Sequence, residues 1–198
     1  MPLRLVVLIS GAGSNMADLL RRVRENPHAG LEVVAVGADR EAPGLDSAAK
    51  NGVETFVVTF PGSDRRAEWG EKLADTLESY SPDLVVLSGL MRLLPPETVQ
   101  RFQGRLINTH PSYLPDFPGA HAVKDQVEAG VSDAGASIIV VDNGVDTGPI
   151  IEQQRVAVMP DDSEASLHAR IKQVERELLW RVLTELAGGQ RTLPVGQD

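Results

Sequence analysis

Three segments of this 198-residue chain carry polar residues at spacings that suit chemistry. The first is Asn108-Thr109-His110, which ends the apolar run Leu106-Ile107. In an extended strand, residues i and i+2 project from one face, about 6–7 Å apart along it. Asn108 and His110 therefore point the same way at a strand end. An amide donor beside an imidazole suits stabilisation of an oxyanion, and the imidazole can also give or take a proton near neutral pH. Taken alone, the same residues fit a polar strand terminus more readily. The second segment is Asp142-Asn143-Gly144-Val145-Asp146-Thr147-Gly148-Pro149. Its glycines and Asx residues make a tight loop, and a carboxylate from Asp146 brought beside His110 would orient the ring. A hairpin turn explains these residues equally well. The third is Ser10-Gly11-Ala12-Gly13-Ser14-Asn15. Glycines let a backbone approach a ligand closely, and the first amides of a following helix attract an anion. Ser14 or Asn15 is placed to cap that helix. The segment lacks the Gly-Lys-Ser/Thr of a Walker loop and the third glycine of a dinucleotide fingerprint. Phosphate binding and a plain capped turn are evenly matched at this point.

These segments need a scaffold that brings them together, and the hydropathy pattern supplies one. Strand-like runs at Leu3–Ile9, Leu31–Val36, Val53–Val58, Leu84–Leu87, Leu106–Asn108, Ala136–Val141 and Ile150–Val158 alternate with helical patterns at Asn15–Glu25, Gly44–Asn51, Arg65–Ser79, Pro96–Phe102 and His121–Ala129. The first six runs are short and rich in Val, Ile and Leu, as strands buried on both faces are. The alternation predicts a three-layer α/β fold around a mostly parallel sheet. A last helix, about Ser163–Leu186, carries Leu167, Ile171, Val174, Leu178 and Leu179 at spacings of three and four and packs back on the sheet. Residues 1–198 are expected to form one domain, with 188–198 as a C-terminal tail after Gly188-Gly189. In such folds ligands bind beyond the carboxyl ends of the strands, which is where the three segments fall. Between two of them, Pro111, Pro115 and Pro118 stiffen a loop that reaches His121, and Gly119 permits a turn. That loop is either a wall of the site or a rigid connector.

Composition narrows the functional classes. With no cysteine, a disulfide framework, a thiolate metal site and a cysteine nucleophile are excluded together. The four histidines, 28, 110, 121 and 168, show no metal-ligand spacing, so no metal is expected. The formal charge of −9 and the lack of any long basic run argue against a nucleic-acid partner. No run approaches the ~20 apolar residues of a spanning helix, and the N-terminus lacks the pattern of a secretory leader. A cytoplasmic, membrane-free protein is expected.

In their order and distances, these segments resemble the phosphoribosylglycinamide formyltransferase family. The resemblance rests on Ser10 to Asn15, Ser88-Gly89-Leu90-Met91-Arg92-Leu93-Leu94, Asn108-Thr109-His110-Pro111-Ser112, Leu114-Pro115, Pro118-Gly119 and Gly144-Val145-Asp146-Thr147-Gly148-Pro149, and it runs from residue 3 to about 187. It implies the formyltransferase fold, a twisted sheet of about seven strands with a Rossmann-like N-terminal half. It also implies transfer of the formyl group of 10-formyltetrahydrofolate, a co-substrate, to the amine of glycinamide ribonucleotide in purine synthesis. Carried over by position, Asn108, His110 and Asp146 would be catalytic. Gly13, Ser14 and Asn15 would hold the ribonucleotide phosphate, with Lys172 and Glu175 at its ribose or glycinamide end. Arg66 would lie near the folate tail, Met91, Arg92, Leu93 and Leu94 would line the folate cleft together with Asn108, and Asp142, Asn143, Gly144, Val145 and Asp146 would wrap the pterin. Tyr113 stands where such enzymes commonly have leucine, which would reshape one side of the cleft. His121 is either near the site or structural. Related enzymes occur as monomers or homodimers. Two other folate enzymes share this chemistry. Methionyl-tRNA formyltransferases resemble a longer chain with an added C-terminal domain, and formyltetrahydrofolate hydrolases carry an extra N-terminal domain. A non-catalytic nucleotide-binding module would explain Gly11 to Asn15 but not Asn108, His110 and Asp146.

Overall fold

The computed structural model describes residues 1–194. The chain runs β1 (Leu3–Ile9), α1 (Ser14–Glu25), β2 (Leu31–Ala38), α2 (Pro43–Lys50), β3 (Glu54–Val57), α3 (Arg66–Ser79), β4 (Leu84–Leu87), α4 (Pro96–Arg101), β5 (Leu106–His110), α5 (Ala122–Glu128), β6 (Asp133–Val140), β7 (Ile150–Ala157) and α6 (Glu164–Ala187). The seven strands of the described residues join one sheet in the order β3-β2-β1-β4-β5-β6-β7. β1 to β5 run parallel, whereas β6 is antiparallel to β5 and β7 is antiparallel to β6.

The alternating side chains of β1 show how the layers form. Leu5, Val7 and Ile9 enter a core shared with α1, α2 and α6, while Val6 and Leu8 face the opposite core with α3 and α4. The expected stripe of α6 is confirmed: Leu167, Ile171, Leu178 and Leu179 are buried, and Val174 packs beside them. Ser163 caps this helix through a reciprocal bond with Ser166, a device worth about 1 kcal/mol.

Two expectations need correction. β3 is not buried on both faces, since it lies at the sheet edge and is only half-covered. β6 starts at Asp133, ahead of its expected Ala136, because pairing with β7 carries the low-propensity Asp133-Ala134-Gly135 into the sheet. Past α6, Arg191 donates to the Ile151 carbonyl at 2.9 Å and pairs with Glu152 and Glu185, so the segment lies against β7. Residues 195–198 of the expected tail lie outside the described residues. Among the described residues no helix is long and apolar enough to cross a membrane.

Strand order reverses between β1 and β4, the switch point where such sheets open a crevice. There the loop after β1 meets the loop after β4: Ser10 N–H donates to Gly89 O at 3.0 Å, and Met91 N–H donates to Ser10 Oγ at 2.8 Å.

Candidate active site

β5 presents Asn108 and His110 at its carboxyl end, and both reach one carboxylate. Asn108 Nδ2 donates to Asp146 Oδ1 at 3.3 Å, and His110 Nδ1 lies 3.3 Å from Asp146 Oδ2. The backbone N–H of Gly119 donates to the same Oδ2 at 2.8 Å. The other ring nitrogen, His110 Nε2, sits 2.9 Å from the Phe117 carbonyl. Both ring nitrogens thus face oxygens that only accept, an arrangement that a ring carrying two N–H groups satisfies.

This geometry depends on two shaped loops. Asp146 and Phe117 both hold left-handed backbone, each with φ of 53°. Non-glycine residues adopt it at a cost, and such strain gathers where surrounding structure fixes a functional group. The Asp142–Pro149 loop joins β6 to β7, and its Asp142 accepts from Gly144 N–H at 3.0 Å and Thr147 Oγ1 at 2.9 Å. At Gly148 any side chain would collide with the Val140 carbonyl, a Cβ falling 1.8 Å away. The proline loop is tied down from three elements. Gln126 of α5 donates to Pro111 O at 2.9 Å, Ser137 of β6 to Ser112 O at 2.7 Å, and Gln153 of β7 to Leu114 O at 3.0 Å.

Asn108, His110 and Asp146 line a cavity of about 360 Å³ whose other walls include Met91 to Leu94, Val141, Asp142, Gly144 and Val145. Three large apolar side chains stand open at it, Met91 at 60%, Leu93 at 47% and Val145 at 46% exposure. An apolar rim over a polar floor suits a flat, partly aromatic ligand.

A second cavity of about 340 Å³ lies beside it, lined by Ser10 to Asn15, Arg40, Ser88, His168, Lys172 and Glu175. The two cavities share Gly89, Met91, Thr109 and Pro111, so the carboxyl end of β5 lies at their junction. Here the capping expectation is corrected. Gly13 is the cap residue of α1, with φ of 62°, and no side chain caps the helix. Asn15 instead bridges to α6, donating to Glu175 Oε2 at 3.0 Å and accepting from Arg176 Nε at 3.0 Å. The first amides of α1 are thereby left for a ligand. Glu175 is 4% exposed. Burial pushes its carboxyl up to about 7, against the pull of the Asn15 hydrogen bond and of Lys172 and Arg176. Burial and the nearby Lys172 charge push His168 below the ordinary histidine value.

The structure brings together most of the residues singled out in the sequence, and sets four apart. Arg66 lines neither cavity; its guanidinium donates to the Leu93 and Leu94 carbonyls at 3.0 and 2.7 Å and so braces the cavity wall. Asn143 faces a hollow on the far side of its loop, beside Pro96 and Gln100. Tyr113 turns away from the cleft, under the Arg155 guanidinium at 4.0 Å, so the expected reshaping of the cleft is not seen. His121 is exposed at the start of α5 and lines neither cavity. Sequence reasoning missed Arg40, Ser88 and His168. Ser88 directly follows β4 and Arg40 is the second residue after β2, so the carboxyl-end rule itself could have found them. His168 lies one turn before Lys172 on α6, a spacing that was available. Among the described residues no three His, Asp or Glu side chains group as a metal site.

A mostly parallel sheet with two abutting cavities of similar size, joined over an amide, an imidazole and a carboxylate, has the layout of a group-transfer enzyme. The chain belongs to the formyl transferase family, which matches residues 3–183. It is 45% identical over 94% of its length to a phosphoribosylglycinamide formyltransferase of Mycobacterium tuberculosis, covering 86% of that protein. It is 38% identical over 94% of its length to the trifunctional purine biosynthetic protein adenosine-3 of Drosophila melanogaster, covering 14% of it. Its fold superposes with a TM-score of 0.89 on the crystal structure of glycinamide ribonucleotide transformylase 1 from Symbiobacterium toebii, at 35% identity and covering 98% of this chain and 95% of that one.

Proposed function

We propose that this protein transfers the formyl group of 10-formyltetrahydrofolate directly to the amine of glycinamide ribonucleotide, giving formylglycinamide ribonucleotide and tetrahydrofolate in purine synthesis. The observation that carries this reading is the pair of abutting cavities with Asn108, His110 and Asp146 at their junction. The apolar cavity takes the folate: Met91 to Leu94 and Val145 contact its rings, the Asp142 to Asp146 loop closes over the pterin, and Arg66 holds that wall in shape. The second cavity takes the ribonucleotide. Its phosphate sits on Gly13, Ser14 and Asn15 at the α1 N-terminus, and Lys172 and Glu175 face its ribose or glycinamide end.

The amine lone pair attacks the formyl carbon, and the carbonyl electrons move onto oxygen. Asn108 Nδ2 has a second hydrogen not used by Asp146 and donates it to that oxyanion, and the His110 ring joins it once Nε2 turns from the Phe117 carbonyl to the substrate. Loss of one such donor typically costs about 10²–10³ in rate. Collapse of the tetrahedral intermediate releases N10 of the folate, which takes up the proton given up by the amine. Asp146 keeps the ring oriented and positions the water that carries this proton. No covalent enzyme intermediate is needed, and the acceptor is a small molecule rather than a nucleic acid. The experiment is a comparison of glycinamide ribonucleotide, tRNA and water as formyl acceptors with one preparation of the enzyme. Efficient transfer to the ribonucleotide alone is expected. Preferred transfer to tRNA, or release of formate, would overturn the reading.

A further inference from the structure

Directly after β2, Asp39 and Arg40 form a pair with unequal exposure. The Asp39 side chain is fully buried, while that of Arg40 is 48% exposed and lines the ribonucleotide cavity together with the Ser10 to Asn15 loop. The guanidinium is held by two of its nitrogens: Nε reaches Asp39 Oδ1 at 3.3 Å, and Nη2 reaches Oδ2 at 2.9 Å. Nη1 has no partner among the described residues. Arg92 fixes the carboxylate from its other side, Nε to Oδ2 at 2.7 Å, while its own guanidinium stacks over Phe60 at 4.5 Å. Burial pushes the Asp39 carboxyl up, but hydrogen bonds from Arg40, Ser10 and Arg92 outweigh it and keep the group ionised below the usual carboxylate range. A carboxylate buried this way is a fixed mount. It sets the direction of an arginine that would otherwise sweep through many rotamers, so little side-chain freedom is left to lose when a ligand binds.

We propose that Arg40 is a phosphate-anchoring residue of the ribonucleotide site, and that Asp39 is the positioning residue that aims it. The inference rests on the reading of this cavity as the ribonucleotide site and adds to it a charge. The amides of α1 offer only partial charges to a phosphate of nearly two negative charges. Arg40 supplies a full positive charge, and its free Nη1 edge a charge-assisted hydrogen bond. The phosphate is then held between a helix terminus and a guanidinium, whereas Lys172 and Glu175 remain for the other end of the ligand.

The test uses the intact enzyme with Arg40→Gln and Arg40→Lys. Arg40→Gln is expected to raise the KM for glycinamide ribonucleotide about 10–100-fold, the range for losing a hydrogen bond between charged groups. It should weaken competitive inhibition by inorganic phosphate to the same degree, and keep the folate KM within about twofold. Arg40→Lys should recover part of the loss. On an acceptor without the phosphate, glycinamide riboside, Arg40→Gln and the parent should be equally poor, which a merely structural defect would not produce. Lys172→Ala separates the site reading from the Arg40 inference. If Lys172→Ala raises the ribonucleotide KM and Arg40→Gln does not, the Arg40 inference is overturned and the site reading stands. If neither variant changes that KM or the inhibition by phosphate, the site reading falls with it.

Discussion

Glu175 offers a quantitative test that needs no substrate. Its carboxyl is buried in the wall of the second cavity and is pushed from the ordinary 4.5 up to about 7, chiefly by burial. A tenfold change in proton affinity corresponds to about 1.4 kcal/mol, so the ionised form costs the folded protein about 3 kcal/mol. The direction of the pH effect follows from proton counting. Below about pH 4.5 the group is protonated in both folded and unfolded chains, and it contributes no difference. Between about 4.5 and 7 the folded protein keeps a proton that the unfolded chain has released, so stability falls as pH rises. Above about 7 both forms are ionised and the loss is complete. Glu175→Gln mimics the protonated acid, keeps an oxygen to accept from Asn15, and removes the titration. The difference between variant and parent in urea unfolding should therefore be near zero at pH 4.5 and grow to about 3 kcal/mol in favour of Glu175→Gln by pH 8. For a chain of this size that is a rise in Tm of about 6–12 °C. Lys172, Arg176 and His168 are present in both proteins, so their titrations largely cancel in the difference. A difference that stays flat from pH 4.5 to 8 would refute the burial argument.

Two further outcomes follow from the same geometry. Asp146→Asn keeps an oxygen for the Gly119 amide but loses the charge that faces His110; turnover should drop at least about 100-fold, with an unfolding midpoint close to the parent, and near-normal turnover would sink the catalytic assignment. Arg66→Ala removes both hydrogen bonds to the Leu93 and Leu94 carbonyls. Steady-state kinetics should show the folate KM rising about tenfold, as expected for roughly 1.4 kcal/mol, while the ribonucleotide KM is unchanged, because the contacts of Arg66 lie on the Leu93–Leu94 wall of the first cavity alone.

The sheet was legible because its signal is local. The apolar runs of β1 and β4 begin and end where the sequence pattern places them, and the period of α6 reads directly as its buried stripe. The shared face of Asn108 and His110 was legible for the same reason, since strand geometry alone fixes it. Asp146 is different. It lies 38 residues beyond Asn108, and no periodicity relates a loop residue to a strand end across that distance. Only the resemblance to a family placed it there, and the structure shows what physical features do the placing. The β6–β7 loop leaves the sheet beside the start of β5, where Val140 pairs with Ile107, and must run back along that strand; Asp142 ties the loop into a turn, and a left-handed backbone at Asp146 accompanies the reach of its carboxylate to Asn108 and His110. Arg66 and Asn15 show the converse limit. A side chain near a ligand-binding segment can serve the backbone or a neighbouring helix, and sequence spacing does not tell the two uses apart. Arg40 was missed for a related reason: its value lies in the buried Asp39 beside it, and burial of a carboxylate between two arginines is a property of the folded sheet end, not of the dipeptide Asp39-Arg40. Residues that act through a buried partner are therefore where such a sequence keeps its least visible chemistry.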